Sequence, residues 1–164
     1  MITILVGAPR SGKTTLVNAQ FLSKPNTAVV CGDDIRKALT NSRYNDYAEQ
    51  FISAIKHTML RALHARGVDI VVDGTHSNVS SIERILAIDP EAQLLFVPNQ
   101  DFYLDNRNVK HLIHTAIDTN QADLIPVINR IFGQIQSLIL CIQDGTWNMD
   151  VARAAAKEKI MRVV

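Results

Sequence analysis

Four short apolar runs punctuate the first hundred residues, at 1–6, 27–31, 68–73 and 92–97. Each is four to six residues long, rich in Val, Ile and Leu, and bounded by Gly, Pro, Asn or Asp, which predicts buried β-strands. Between them the apolar positions recur at three- and four-residue steps, the period of a helix with one buried face. Residues 15–22 fit a helix through Leu16, Ala19, Phe21 and Leu22, before Lys24, Pro25 and Asn26 break it. A turn at Gly32, Asp33 and Asp34 leads to a short helix at 35–39, and residues 41–45 read as a polar turn. A long helix follows over 46–66. Asp46 and Glu49 have capping-box spacing, Ala48, Phe51, Ile52, Ile55, Met59, Ala62 and Leu63 form its apolar face, and Gly67 stops it. After the third run, residues 78–88 fit a helix closed by Pro90. Strands alternating with helices imply βαβ units and a three-layer α/β/α domain with a mainly parallel sheet of four to five strands.

Beyond residue 100 the pattern is helical. Residues 102–117 are amphipathic with mixed charge. Asp123 is placed to cap a helix reaching about residue 143, with a seam of Leu124, Ile128, Ile131, Ile135, Leu138 and Ile142 and a second stripe of Ile125, Phe132 and Ile139. A core helix is the favoured reading of that seam; a homo-oligomer interface through the same helix is the other. Residues 150–164 read as helix, with 160–164 fitting a last strand equally well. Trp147 reads as a packing residue.

The chain has 164 residues, enough for one domain over 1–164, and 47% hydrophobic with 20% charged residues suits an ordinary core. The net charge of +1 gives no broad electrostatic footprint for long nucleic acid. Cys31 and Cys141 lack metal-ligand spacing and sit by apolar runs, as buried free thiols of a reducing compartment would. No run reaches the roughly 18 apolar residues of a membrane span, and the apolar start is too short and unflanked for a signal peptide. The expectation is a cytoplasmic protein without a membrane partner.

The first run ends in Gly7-Ala8-Pro9-Arg10-Ser11-Gly12-Lys13-Thr14-Thr15, which fits the phosphate-binding pattern G-x-x-x-x-G-K-[ST] at every fixed position. Gly7 and Gly12 let backbone N–H groups converge on one anion, joined by Arg10, Ser11 and Thr15 of the same loop. Lys13 supplies charge, Thr14 offers a hydroxyl to Mg²⁺, and the following helix puts its positive end on the phosphates of ATP. The other strand ends carry the remaining polar clusters, where ligands of a parallel sheet collect. Asp73 suits the acidic partner of the loop, holding Mg²⁺ or ordering a substrate group; a plain turn cap is the alternative. Asp33 and Asp34 suit the carboxylate that takes a proton from an acceptor hydroxyl, or simply cap the next helix. Arg36 stands close enough to hold a substrate phosphate. Arg107, Lys110, His111 and His114 share one helix, as a lid of cations or a solvated basic face. His57 and His64 read as structural or surface residues.

Taken together, Gly7-Ala8-Pro9-x-Ser11-Gly12-Lys13-Thr14, Asp33-Asp34-Ile35-Arg36, Asp73-Gly74-Thr75 and Leu104-x-x-Arg107-Asn108 resemble the phage-type polynucleotide 5′-hydroxyl kinases over about the first 110 residues. The resemblance implies a P-loop kinase with a helical lid at about 101–120. It implies that Lys13 and Thr14 bind ATP phosphates and Mg²⁺, that Asp33 is the general base, and that Arg36 holds the acceptor's 3′-side phosphate. Asp73 and Thr75 would help order the site, and Arg107 would clamp the donor phosphates; Asp34 and His76 stand beside them as substrate-binding candidates. Three positions depart from the family pattern: Arg10 stands for a loop glycine, His76 for an Asn, and His111 for a second lid arginine.

The leading expectation is therefore an ATP-dependent kinase that phosphorylates a nucleic-acid hydroxyl, a 5′-hydroxyl end first. A kinase of 5-hydroxymethyl-pyrimidines in phage DNA, a small-molecule kinase of the zeta-toxin kind, and a non-catalytic nucleotide switch are the alternatives.

Overall fold

The computed structural model describes residues 1–41, 46–74 and 76–163, without the side chains of Asp46 and Val163. The four apolar runs form strands β1 (Ile2–Val6), β2 (Thr27–Cys31), β3 (Asp69–Asp73) and β4 (Gln93–Phe96). They pair in parallel in the order β2-β3-β1-β4. From β1 the chain crosses to the edge, returns to β3, then passes over β1 to β4. The connections after β1 and β3 thus leave in opposite directions, which opens a crevice at their carboxyl ends.

Alternation along the strands splits the apolar residues between two layers. Ile2, Ile4 and Val6 of β1 and Ile70 and Val72 of β3 face the larger core. That core is closed by α2 (Gly32–Thr40), α3 (Asp46–Ala65), α4 (Val79–Leu86), α6 (Arg107–Asp118) and α7 (Ile125–Asp144). Leu5, Val71 and Val97 face the other way, onto Val17 of α1 (Lys13–Gln20). The three-layer α/β/α architecture read from the pattern is the one observed.

The C-terminal half differs in detail. The single helix expected at 102–117 is broken into α5 (Gln100–Leu104) and α6. Asp105 is the C-cap of the first, and its carboxylate accepts from the Arg107 N–H at 3.0 Å at the start of the second, whose N-cap is Asn106. Asn108 Nδ2 donates to the Phe102 carbonyl at 2.8 Å, and Gln136 of α7 donates to Asn106 at 2.6 Å, so the break is braced. Asp123 does not cap α7; it lies in a 3-10 turn, Ala122–Leu124. α7 spends its seam inside the domain. Ile128, Ile131, Phe132, Ile135, Leu138 and Ile139 are all buried in the larger core, with Leu124 and Ile142 partly buried against it. The stretch Ala122–Asp144 is, however, long and apolar enough to cross a membrane, with a mean hydropathy of 1.5. Residues 149–163 form one helix, α8 (Met149–Val163), rather than ending in a strand. Trp147 packs on the core and donates to Glu83 at 3.2 Å. Cys31 and Cys141 are free but only half-buried.

Candidate active site

The loop between β1 and α1 needs its two glycines for different reasons. Gly12 has φ +98°, a left-handed conformation that disfavours any side chain, yet a Cβ there would meet nothing. Gly7 is limited by space. A Cβ on it would stand 2.6 Å from Ser11 Oγ, 3.0 Å from the Val97 carbonyl and 3.2 Å from Lys13 Cδ. Ser11 N–H donates to the Ala8 carbonyl at 3.1 Å, which closes the loop's turn. Arg10 is exposed at the tip and is itself left-handed, φ +69°. A loop glycine would be unstrained there, which gives that departure from the family pattern a backbone cost.

Lys13 folds back over the loop, donating to the carbonyls of Gly7 at 2.8 Å and Ala8 at 3.1 Å. Burial lowers its pKa, opposed by the nearby charges of Asp73 and Asp33. Thr14 and Thr15 sit exposed in the first turn of α1, whose leading N–H groups have no partner within the helix. Asp73 ends β3 almost buried, its pKa raised chiefly by desolvation and lowered in part by Lys13. A left-handed glycine, a helix N-terminus, a lysine, an exposed threonine hydroxyl and a strand-end carboxylate make a donor set that fits a nucleotide's phosphates with Mg²⁺. Among the described residues no cluster of His, Cys, Asp and Glu could cage a metal unaided.

Asp33 and Asp34 do not lie in a turn. The helix α2 starts at Gly32, so both stand in its first turn, with exposed side chains. Their surroundings separate them. Asp33 Oδ1 accepts from Arg36 NH1 at 2.5 Å, one turn along, and its charge is felt by Lys13. No such cation is fixed on Asp34 among the described residues. Arg36 bridges the two elements: another edge of it forks onto Glu49 of α3, Nε to Oε1 at 2.6 Å and NH2 to Oε2 at 3.0 Å. Its pKa is raised, first by the Glu49 hydrogen bonds and also by Asp33.

Beside this fork α3 brings in a residue the sequence did not single out. Lys56 Nζ donates to His76 Nε2 at 2.7 Å. His76 is buried, and its Nδ1 lies 3.1 Å from the Leu5 carbonyl, which requires the proton on Nδ1 and a neutral ring. Burial, reinforced by the Lys56 charge, pushes His76 down to about 3, and burial pushes Lys56 down to about 8. Both nitrogens of His76 are thus occupied, so it can influence a substrate only through Lys56. Gly74 makes room for the ring: a Cβ there would lie 2.9 Å from His76 Cε1. Thr75 lies outside the described residues, as do residues 42–45 of the polar turn.

Tyr103 was also missed. Wholly buried in α5, its hydroxyl donates to the Val97 carbonyl at 2.5 Å and accepts from the Ala8 N–H at 3.0 Å. It therefore pins the phosphate loop to the end of β4. The only hint in the sequence is a phenol in an otherwise apolar turn, since a buried hydroxyl needs partners. Arg107 is not brought to the site. It is exposed at the start of α6, forked on Asp105, whose carboxylate it holds below its ordinary pKa. Lys110, His111 and His114 are exposed on the same helix.

Fold and loop together define a P-loop nucleotide-binding α/β domain. The family model described as AAA domain matches residues 2–109, and the chain belongs to that family. No curated protein matches it in sequence. Among solved structures it is similar to a chain of the Pnkp1/Rnl/Hen1 RNA repair complex, with TM-score 0.69 and 21% identity over 90% of this chain and 46% of that one. A second structure, of the Pnkp1/Rnl/Hen1 complex, gives TM-score 0.57 and 24% identity over 69% and 38%. The chain thus spans less than half of either, and at these identities the likeness is one of fold.

Proposed function

We propose that this domain is an ATP-dependent kinase that transfers the γ-phosphoryl group to a hydroxyl of a nucleic acid, a 5′-hydroxyl end. The observation that carries the reading is the acidic first turn of α2. Asp33 is held by Arg36, and Arg36 by Glu49, at a strand end adjoining the phosphate loop, with Lys13 and Asp33 in electrostatic contact. A nucleotide switch has no need of a fixed carboxylate there; phosphoryl transfer to a hydroxyl does. Similarity to chains of complexes described as RNA repair supports nucleic acid as the acceptor.

In this reading the loop N–H groups and Lys13 hold the donor phosphates. Thr14 and Asp73 would hold Mg²⁺, which when bound neutralises charge on the β- and γ-oxygens. Asp33 orients the acceptor hydroxyl and takes its proton as the oxygen attacks phosphorus and the bond to ADP breaks. Arg36 keeps Asp33 aimed. Arg107 reaches the phosphates only if α6 swings over and the Asp105 fork opens. The test is γ-labelled ATP offered with 5′-hydroxyl DNA and RNA, hydroxymethyluracil DNA, and a panel of nucleosides and amino sugars. Label on the 5′-hydroxyl ends is expected. Label on a base or sugar alone would reassign the acceptor, and no transfer despite ATP binding would remove the enzyme.

A further inference from the structure

The hydrogen bond from the Ser11 N–H to the Ala8 carbonyl at 3.1 Å makes residues 8–11 a turn with Pro9 and Arg10 at its centre. Proline presets the first central position. At the second, φ +69° is the left-handed step of a type II turn, where glycine is the ordinary residue. The other described non-glycine residues with positive φ are Asn26, Asn41 and Asn120, whose short amides tolerate that region. Arg10 alone among the described residues carries a long side chain there. Nothing in the folded chain repays it: the side chain is exposed and has no hydrogen bond or ion pair among the described residues.

Other cations of the site are tied to partners. Lys13 donates to the Gly7 and Ala8 carbonyls, Arg36 bridges Asp33 and Glu49, and Lys56 lies on His76. Arg107 is forked on Asp105 at the start of α6. A γ-phosphoryl group in flight spreads its charge over three oxygens, and a guanidinium fork meets two of them at once. Backbone strain persists at a ligand clamp when the bound state repays it. We propose that Arg10 is a catalytic residue whose guanidinium donates to the γ-phosphoryl oxygens during transfer, from the loop itself rather than from the lid. In that step a lone pair of the acceptor oxygen bonds the γ-phosphorus as the bond from phosphorus to the bridging oxygen breaks. ADP leaves with that electron pair, and the acceptor's proton goes to Asp33. Arg10 moves no proton; it balances the charge on the group being transferred. The identity of that group rests on the kinase reading, but the contact can be measured without turnover.

Calorimetry with Mg²⁺ compares ADP alone with ADP plus aluminium fluoride, which mimics a phosphoryl group in flight. The wild type should bind the fluoride complex roughly tenfold or more tightly than ADP. Arg10→Gly should lose most of that gain while binding ADP within about twofold of wild type. In turnover with a 5′-hydroxyl oligonucleotide, Arg10→Gly should lower kcat by roughly a hundredfold or more, with KM for ATP within about threefold. Arg10→Lys, which keeps the charge without the fork, should recover only a minor part. Arg10→Gly should also melt no lower than wild type, so that lost folding does not explain lost transfer. No fluoride gain in the wild type, or a gain that survives Arg10→Gly, overturns the proposal. So does a kcat for Arg10→Gly within about threefold of wild type, or a larger loss in Arg107→Ala than in Arg10→Gly. A fluoride gain that depends on Arg10, with no label reaching any hydroxyl, leaves the arginine contact standing and removes the kinase.

Discussion

His76 should make the fold acid-sensitive in a window set by its burial. The ring is neutral in the folded protein, held down to about 3 by desolvation and by Lys56, whereas an unfolded histidine titrates near 6.5. Below that value the unfolded chain binds a proton that the native state refuses, so stability falls as pH drops from about 6.5 toward 3. Each unit is worth about 1.4 kcal/mol. Between pH 7 and 5 the loss is therefore about 2 kcal/mol, or roughly 4–8 °C in Tm for a domain of this size. Other groups titrate in the same range, so the comparison is with His76→Asn, whose amide N–H can still donate toward the Leu5 carbonyl. Urea unfolding at pH 7, 6 and 5 should show wild type losing about 2 kcal/mol more than the variant over that interval. Parallel losses in the two proteins would mean that His76 is not held neutral, and the account of the Lys56–His76 pair would fall with it.

Three further substitutions test the loop. Gly7→Ala places a methyl 2.6 Å from Ser11 Oγ and 3.0 Å from the Val97 carbonyl. ATP affinity should drop at least tenfold by calorimetry, with Ser11→Ala restoring only part of it; unchanged affinity would show that the loop has slack. Arg10→Gly should stabilise the fold by up to about 1 kcal/mol by removing a left-handed arginine, and an equal gain from Arg10→Ala would refute that cause. Tyr103→Phe leaves the buried Val97 carbonyl and Ala8 N–H without the phenol and should cost about 2 kcal/mol. ATP affinity should fall with it, and thermal melts and ATP binding that match wild type would show that the phenol pins nothing.

The nucleotide half of the site was legible because it is local. Nine consecutive residues, a strand before and a helix after carry the phosphate loop, and apolar runs mark the strand ends that bear Asp33 and Asp73. The acceptor half is built across distance. Glu49, in the first turn of α3, has the spacing of a capping-box residue, and Lys56 further along carries no motif; only the packing of α3 turns the first toward Arg36 and the second toward His76. The burial of His76 in the loop after β3 was not legible because its partner, the Leu5 carbonyl, lies 71 positions away. The break at Asp105 and Asn106 escaped the periodicity because the apolar steps continue across it, and what braces it is a few side-chain hydrogen bonds from Asp105, Asn108 and Gln136. Cys31 looked buried for the opposite reason: its run is apolar, but it closes an edge strand at the open end of the sheet.

The central claim is that Asp33 is the base for transfer from the phosphate loop to an acceptor hydroxyl, and Asp33→Asn tests it most directly. Single-turnover transfer from ATP to a 5′-hydroxyl oligonucleotide should fall by at least a hundredfold, with ATP affinity unchanged and Asp34→Asn close to wild type. Transfer that survives Asp33→Asn, or that is lost in Asp34→Asn instead, would contradict the account.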